Sequence, residues 1–194
     1  MAGKAITSKQ ILTPEFRVAF PNVFQPNEKG KYGLTMLFDK NNFNAAPFQE
    51  IIKEILEQVQ TVYYKGGPIP QGIRRSPIKD GDLPNSNGNV FFAGYYSAGT
   101  TSNFQPGVVD HNVQPIINQG EFYAGCYARA KVHAYWYDVD GNKGIGFSIG
   151  NIQKTRDGER MGGGRNAVDD FDAFTDTFAG ADGTAQSIDN IMDI

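Results

Sequence analysis

Scarcity is the first informative property of this 194-residue chain: it has one cysteine, Cys126, and two histidines, His111 and His133. A single thiol excludes an internal disulfide framework and a multi-cysteine metal cluster. No apolar run reaches the roughly 18 residues that a membrane-spanning helix needs. The opening MAGKAITSKQ lacks the apolar stretch of a signal peptide, so the cytoplasm is the expected location. The catalytic signatures are missing as well. Walker, HExxH and nucleophile-elbow patterns do not occur in the required context, and the closely spaced glycines of GIGFSIG lie inside a strand pattern, not at a strand-to-helix turn. DVDG at Asp138 to Gly141 lacks the further acidic ligands of a calcium loop and reads as a hairpin turn. The expectation is a protein without catalysis, metal or cofactor.

The last scarcity is one of charge sign. Residues 1–165 hold all 18 Lys and Arg and 14 of the 21 acids, a net of +4. Residues 166–194 hold seven Asp and no Lys or Arg, a net of −7. The overall −3 is therefore a cancellation between a basic body and an acidic end.

What is abundant points to strands and turns: 23 Gly, 10 Pro, 14 Phe and 9 Tyr. Five strands are expected. The first spans Glu15 to Phe20, with Phe16, Val18 and Phe20 on one face, and the second spans Lys31 to Phe38. The third spans Asn89 to Ala98. The fourth occupies Tyr123 to Asp138 and the fifth Lys143 to Gln153, joined by Asp140-Gly141. One amphipathic helix follows from Phe48, Ile51, Ile52, Ile55, Leu56, Val59 and Tyr63, with Pro47 in its first turn and Gly66-Gly67-Pro68 at its end. Residues 66–89 and Gly99 to Gly120 read as long irregular connections. The second of these leaves a homodimer open.

The fourth strand carries the chemistry. One face is small and apolar: Ala124, Cys126, Ala128, Ala130, Val132, Ala134 and Trp136. The other interleaves Tyr127, Arg129, Lys131, His133, Tyr135 and Tyr137. Single-stranded nucleic acid calls for this mixture, since bases stack on aromatic rings and phosphates pair with cations. An amphipathic strand with solvated cations explains the strand alone equally well. The basic body and the arginine-bearing loop tip the balance towards binding. Tyr95, Lys31, Arg74, Arg75, Lys154 and Arg156 are expected as supporting contacts. In the acidic end, Asp169, Asp170, Phe171, Phe174, Asp193 and Ile194 mix negative charge with apolar anchors, a pattern suited to a protein partner.

Several segments together resemble a known family: PIKDGD (Pro77 to Asp82), PGVVD (Pro106 to Asp110), FYAGCYARAKVHAYWYD (Phe122 to Asp138), GNKGIGFSIGNIQKTRDGERMGGG (Gly141 to Gly164) and the VDDF element ending at Phe171. The chain is similar to the phage and prophage single-stranded-DNA-binding proteins with an OB-fold and an acidic C-terminal tail. The resemblance implies a mainly β protein. Its expected form is a five-stranded OB-fold barrel with one amphipathic helix and long loop insertions, plus a flexible acidic C-terminal tail. The expected divisions are 1–155 for the barrel, 156–165 for a Gly-rich linker and 166–194 for the tail. It implies a protein that, in the host-cell cytoplasm if phage-encoded, coats single-stranded DNA during phage replication or recombination. Its tail is expected to temper DNA binding and to meet a DNA polymerase or helicase. A phage scaffolding protein and an RNA-binding module are the alternatives.

Overall fold

A computed structural model describes residues 5–73 and 76–162. The chain forms β1 (Ile11–Leu12), β2 (Phe16–Asn22), β3 (Gly33–Asp39), α1 (Ala46–Tyr64), β4 (Ile78–Asp80), β5 (Tyr95–Thr101), β6 (Val108–Val109), a short 3-10 turn, β7 (Tyr127–Val139) and β8 (Asn142–Arg156). β2 pairs antiparallel with β3, and β3 with β5. β5 then runs parallel to β8, β8 returns antiparallel on β7, and β7 pairs with β2. Five strands thus close on themselves as a barrel with OB-fold connectivity. They are the five strands expected from periodicity. β1, β4 and β6, of two or three residues each, attach to β7, β5 and β8 and are too short to show a period.

Inside the barrel the alternation of β7 is obeyed: Ala128, Ala130, Val132 and Ala134 are buried, as is Cys126 before them. The small inner face lets α1 pack against β7. The helix buries Phe48, Ile51, Ile55 and Val59, and the Phe48 ring lies 5.2 Å from Phe38 and 5.3 Å from Phe147. Pro47 stands in its first turn, and left-handed Lys65 ends it, with the Gly66 N–H returning to the Gln60 carbonyl. At Asp140-Gly141 both residues have positive φ (50° and 82°), as a two-residue β7–β8 hairpin requires. In β8 the pairing slips where Ala130 meets Ile152 and Val132 meets Ile149, so Ile149 and Ile152 both turn inward despite their odd spacing.

Three expectations are corrected. Phe20 does not share the buried face of Phe16 and Val18. A bulge between Ala19 and Asn22 gives it φ 48°, and its ring is 65% exposed. The third strand begins at Tyr95, not Asn89, because Gly94 (φ 81°) turns the chain there and the Tyr95 N–H closes on the Phe92 carbonyl. The start of the expected linker is docked on the body. β8 continues to Arg156, Arg17 donates to the Glu159 carbonyl, and the Met161 N–H donates to the Ala124 carbonyl.

Gly33 shows how tightly β3 and β5 close: a Cβ there meets the Thr100 carbonyl oxygen at 2.2 Å. Gly33→Ala is therefore expected to destabilise the fold by about 1–3 kcal/mol, the usual cost of overpacking, as a lowered midpoint in urea denaturation.

Candidate nucleic-acid interface

Residues directly opposite one another in paired strands project from the same face of a sheet. That rule builds one row around the outside of the barrel. Tyr127 of β7 faces Arg156 of β8 on one side and Arg17 of β2 on the other. Arg17 faces Leu37, Leu37 faces Ser97, and Ser97 faces Lys79 of β4. Beside this row lies a groove of about 300 Å³ lined by Glu15, Arg17, Asp39, Tyr95, Tyr127 and Arg156. The Arg156 guanidinium carbon lies over the Tyr127 ring, 3.4 Å from its centre. Glu15 holds that guanidinium through contacts of 2.8 and 3.1 Å, and accepts the Thr155 hydroxyl at 2.6 Å. Partial burial works against the Glu15 charge. The Arg156 and Thr155 hydrogen bonds and the Arg156 charge outweigh it and hold the carboxyl below its usual range. Arg17 is anchored by the Glu159 carbonyl at 2.8 Å and the Gly125 carbonyl at 3.3 Å.

Further along β7 the outer strip carries Arg129 and Lys131, both exposed. Arg129 is held by Gln153 at 2.8 Å. No described carboxylate forms an ion pair with either. A second groove, of about 420 Å³, gathers His133, Tyr135, Lys31, Thr7, Thr101 and Ser148 and shares no residue with the first. Lys31 donates to the Asn103 side chain there. Burial lowers the His133 pKa, which favours the neutral imidazole over the cation at pH 7. The Tyr135 ring lies against Gly146, where a Cβ would come within 2.6 Å of it, and Tyr137 is 6.4 Å away.

The expected contacts therefore fall into groups. Tyr95, Tyr127 and Arg156 meet in the first groove. Lys31, His133 and Tyr135 meet in the second. Arg129 and Lys131 lie on the same strand, between Tyr127 and His133. Lys154 lies outside both grooves: it pairs with Asp157 at 2.6 Å and lies over the Tyr123 ring, which Arg160 also covers at 4.0 Å. Arg74, Arg75, Asp169, Asp170, Phe171, Phe174, Asp193 and Ile194 lie outside the described residues. Arg17 and Glu15 were missed, although a charged residue alternating with Phe16 and Val18 was the available signal. What alternation could not supply was the strand beside them.

The Tyr123 hydroxyl lies 2.9 Å from Asp157 and 3.0 Å from the Gly158 carbonyl. Hydrogen bonds from Lys154 and Tyr123 hold Asp157 below the ordinary carboxylate pKa. A carboxyl lowered on folding contributes stability that is present above its unfolded pKa and is lost as pH falls through the folded value. Acidification through and below the ordinary carboxylate range is thus expected to loosen residues 157–161 before the barrel. NMR chemical shifts of Gly158 and Tyr123 should titrate together, and Asp157→Asn should abolish that titration.

The family model described as Enterobacter phage Enc34, ssDNA-binding protein, matches residues 9–181. Protein p50 of Acyrthosiphon pisum secondary endosymbiont phage 1 is 31% identical over 172 residues, covering 80% of this chain and 89% of that protein. Among solved structures, the single-stranded DNA-binding protein from bacteriophage Enc34 superposes with a TM-score of 0.62 at 21% identity, covering 86% of this chain and 98% of that one. The same protein in complex with ssDNA gives 0.61 at 20% identity, covering 83% and 100%. The bacteriophage T7 single-stranded DNA binding protein gp2.5 gives 0.56 at 10% identity, covering 84% and 97%. These structures share the fold. The family match spans most of the sequence, and the chain belongs to the Enc34 phage ssDNA-binding protein family.

Proposed function

We propose that this protein binds single-stranded DNA with little regard to sequence and coats it during phage replication or recombination. The observation that carries this reading is the alternation of aromatic faces and cations on the outside of β7 and its neighbours. Tyr127, Tyr135 and Tyr137 supply rings, Arg129 and Lys131 supply charge that no described carboxylate pairs, and Arg17 and Arg156 flank them. Stacking on rings is tolerant of sequence because every base has a π-face, and phosphate contact is tolerant because every nucleotide has a phosphate. Membership of a family described as ssDNA-binding, and a structural relative solved in complex with ssDNA, support the same reading. Lys31, His133, Tyr95, Lys154, Arg74 and Arg75 complete the proposed contact set.

The acidic segment 166–194 is proposed to compete with phosphate for the basic body. It would also offer Asp169, Asp170, Phe171, Phe174, Asp193 and Ile194 to a replication protein such as a DNA polymerase or helicase. Both activities follow from one property, a run of negative charge carrying apolar anchors.

Fluorescence anisotropy with labelled oligo-dT, oligo-U and duplex DNA of equal length, titrated with salt, tests the reading. Tight, salt-sensitive preference for the single DNA strand is expected. Equal weak binding to single strand and duplex would overturn it, and preference for oligo-U would make the ligand RNA. Replacing Arg129 and Lys131 by Ala should weaken binding and flatten the salt slope by up to about 1.4 units, at ~0.7 per phosphate contact on a single strand. Removing residues 166–194 should raise affinity at low salt and change little at high salt, where the competing charges are screened. Unchanged low-salt affinity would mean that the tail does not compete for the groove.

A further inference from the structure

Phe20 is an anomaly that the contacts above leave without a role. Its φ of 48° is a conformation that bulky L-residues rarely adopt, and the bulge that imposes it turns the ring out of the barrel to 65% exposure. Backbone strain spent on exposing a phenyl group to water runs against both steric and hydrophobic preference, and such strain gathers where a ligand binds. The ring is not isolated. It meets Phe92 edge to face at 6.0 Å, and Phe92 lies 6.5 Å from Phe91, which is also 65% exposed.

The loop that carries Phe91 and Phe92 is pinned in place. The Gly94 N–H donates to Asp82 at 2.6 Å, the Gly81 N–H donates to the Tyr95 carbonyl at 2.8 Å, and Lys40 bridges Asp80 and Asp82. Ala19, Leu37 and Ser97 point outward from the barrel, yet they are only 3, 1 and 9% exposed. The Phe20–Phe92 contact joins the loop before β5 to β2, and these side chains lie on β2, β3 and β5 in turn. A groove of about 700 Å³ opens there, with Lys79, Leu83, Phe91, Phe92 and Ser97 among its walls. Lys79 is exposed, and no described carboxylate pairs with it. The groove lies on the same cross-strand row as Tyr127 and Arg17. Four strand spacings, a path of about 19 Å along the curved sheet, lead from Tyr127 to Lys79.

We infer that Phe20, Phe91 and Phe92, with Lys79 at their edge, form a second base-stacking subsite that takes nucleobases of the strand lying across Arg17 and Tyr127. The inference rests on the single-stranded-DNA reading above and extends it. It places a stacking surface on the β2 bulge and the loop before β5, neither of which belongs to the long aromatic strand. An apolar protein partner is the competing occupant.

Phe20→Gly and Phe91→Ala, assayed in the full chain, separate these cases. Glycine accepts a positive φ without strain, so Phe20→Gly should keep or raise the thermal midpoint while losing the ring. Each variant should weaken oligo-dT binding at least about fivefold, with the salt slope unchanged because no phosphate contact is lost. Lys79→Ala should instead flatten the slope. Wild-type binding to oligo-dT with both Phe variants equally tight would overturn the subsite alone and leave the rings to a protein partner. A lowered thermal midpoint for Phe20→Gly with unchanged affinity for Phe91→Ala would make the cluster structural and would also overturn it. Absence of oligo-dT binding by the wild type would remove the single-stranded-DNA reading itself.

Discussion

β7 is the strand through which the barrel closes. One of its edges pairs with β1 and β2, and the other pairs with β8 along almost its whole length. Its inner face must be thin for α1 to pack against it, and Ala128, Ala130 and Ala134 provide that thinness. Its outer face is then free to be large and polar. Period-2 alternation forces these two demands onto alternate residues of one segment, so the strand that completes the core also displays the tyrosines and cations. A one-residue slip would bury Arg129 and Lys131 and expose the alanines, which makes the register of β7 a condition of both stability and the proposed binding face.

The second organising property is the way the cations are held. Arg156 is fixed between a tyrosine face and Glu15, Arg17 between two backbone carbonyls, and Lys154 between Tyr123 and Asp157. Such anchoring reduces the side-chain entropy lost when a ligand arrives, a benefit to affinity. It also sets a competition, because a phosphate that takes Arg156 must replace a carboxylate already bound. Arg129, held by Gln153, and Lys131 have no carboxylate partner among the described residues. The surface thus combines ordered cations, whose geometry is fixed, with others that no described carboxylate pairs.

Aromatic residues divide along similar lines. Tyr123 is enclosed by two cations and an acid, and Trp136 packs near the core against Tyr63. Tyr127 is open to a groove beneath Arg156, and Phe20 and Phe91 face solvent on the β2–β5 side. Ring count along the sequence says little about which of these rings a base can reach. The loops and the neighbouring strands decide it.

Much of the architecture was legible because long strands and helices impose a period on their side chains. The alternation of β7, the Asp140-Gly141 turn and the 3.6-residue stripe of α1 each follow from local stereochemistry, and the five barrel strands were found on that basis. The charge division at residue 165 is likewise a property of the sequence alone. Tertiary structure decided the remainder. Arg17 gained its place from Tyr127, more than 100 residues away, and Phe20 left the core because of a bulge that hydrophobic spacing does not encode. Lys154 gained an acid partner, Asp157, three residues on. The sequence specified which faces are apolar, since that depends on near neighbours. Which charged and aromatic groups share a groove depended on strand pairing across the barrel, a long-range choice made when the whole ring closed.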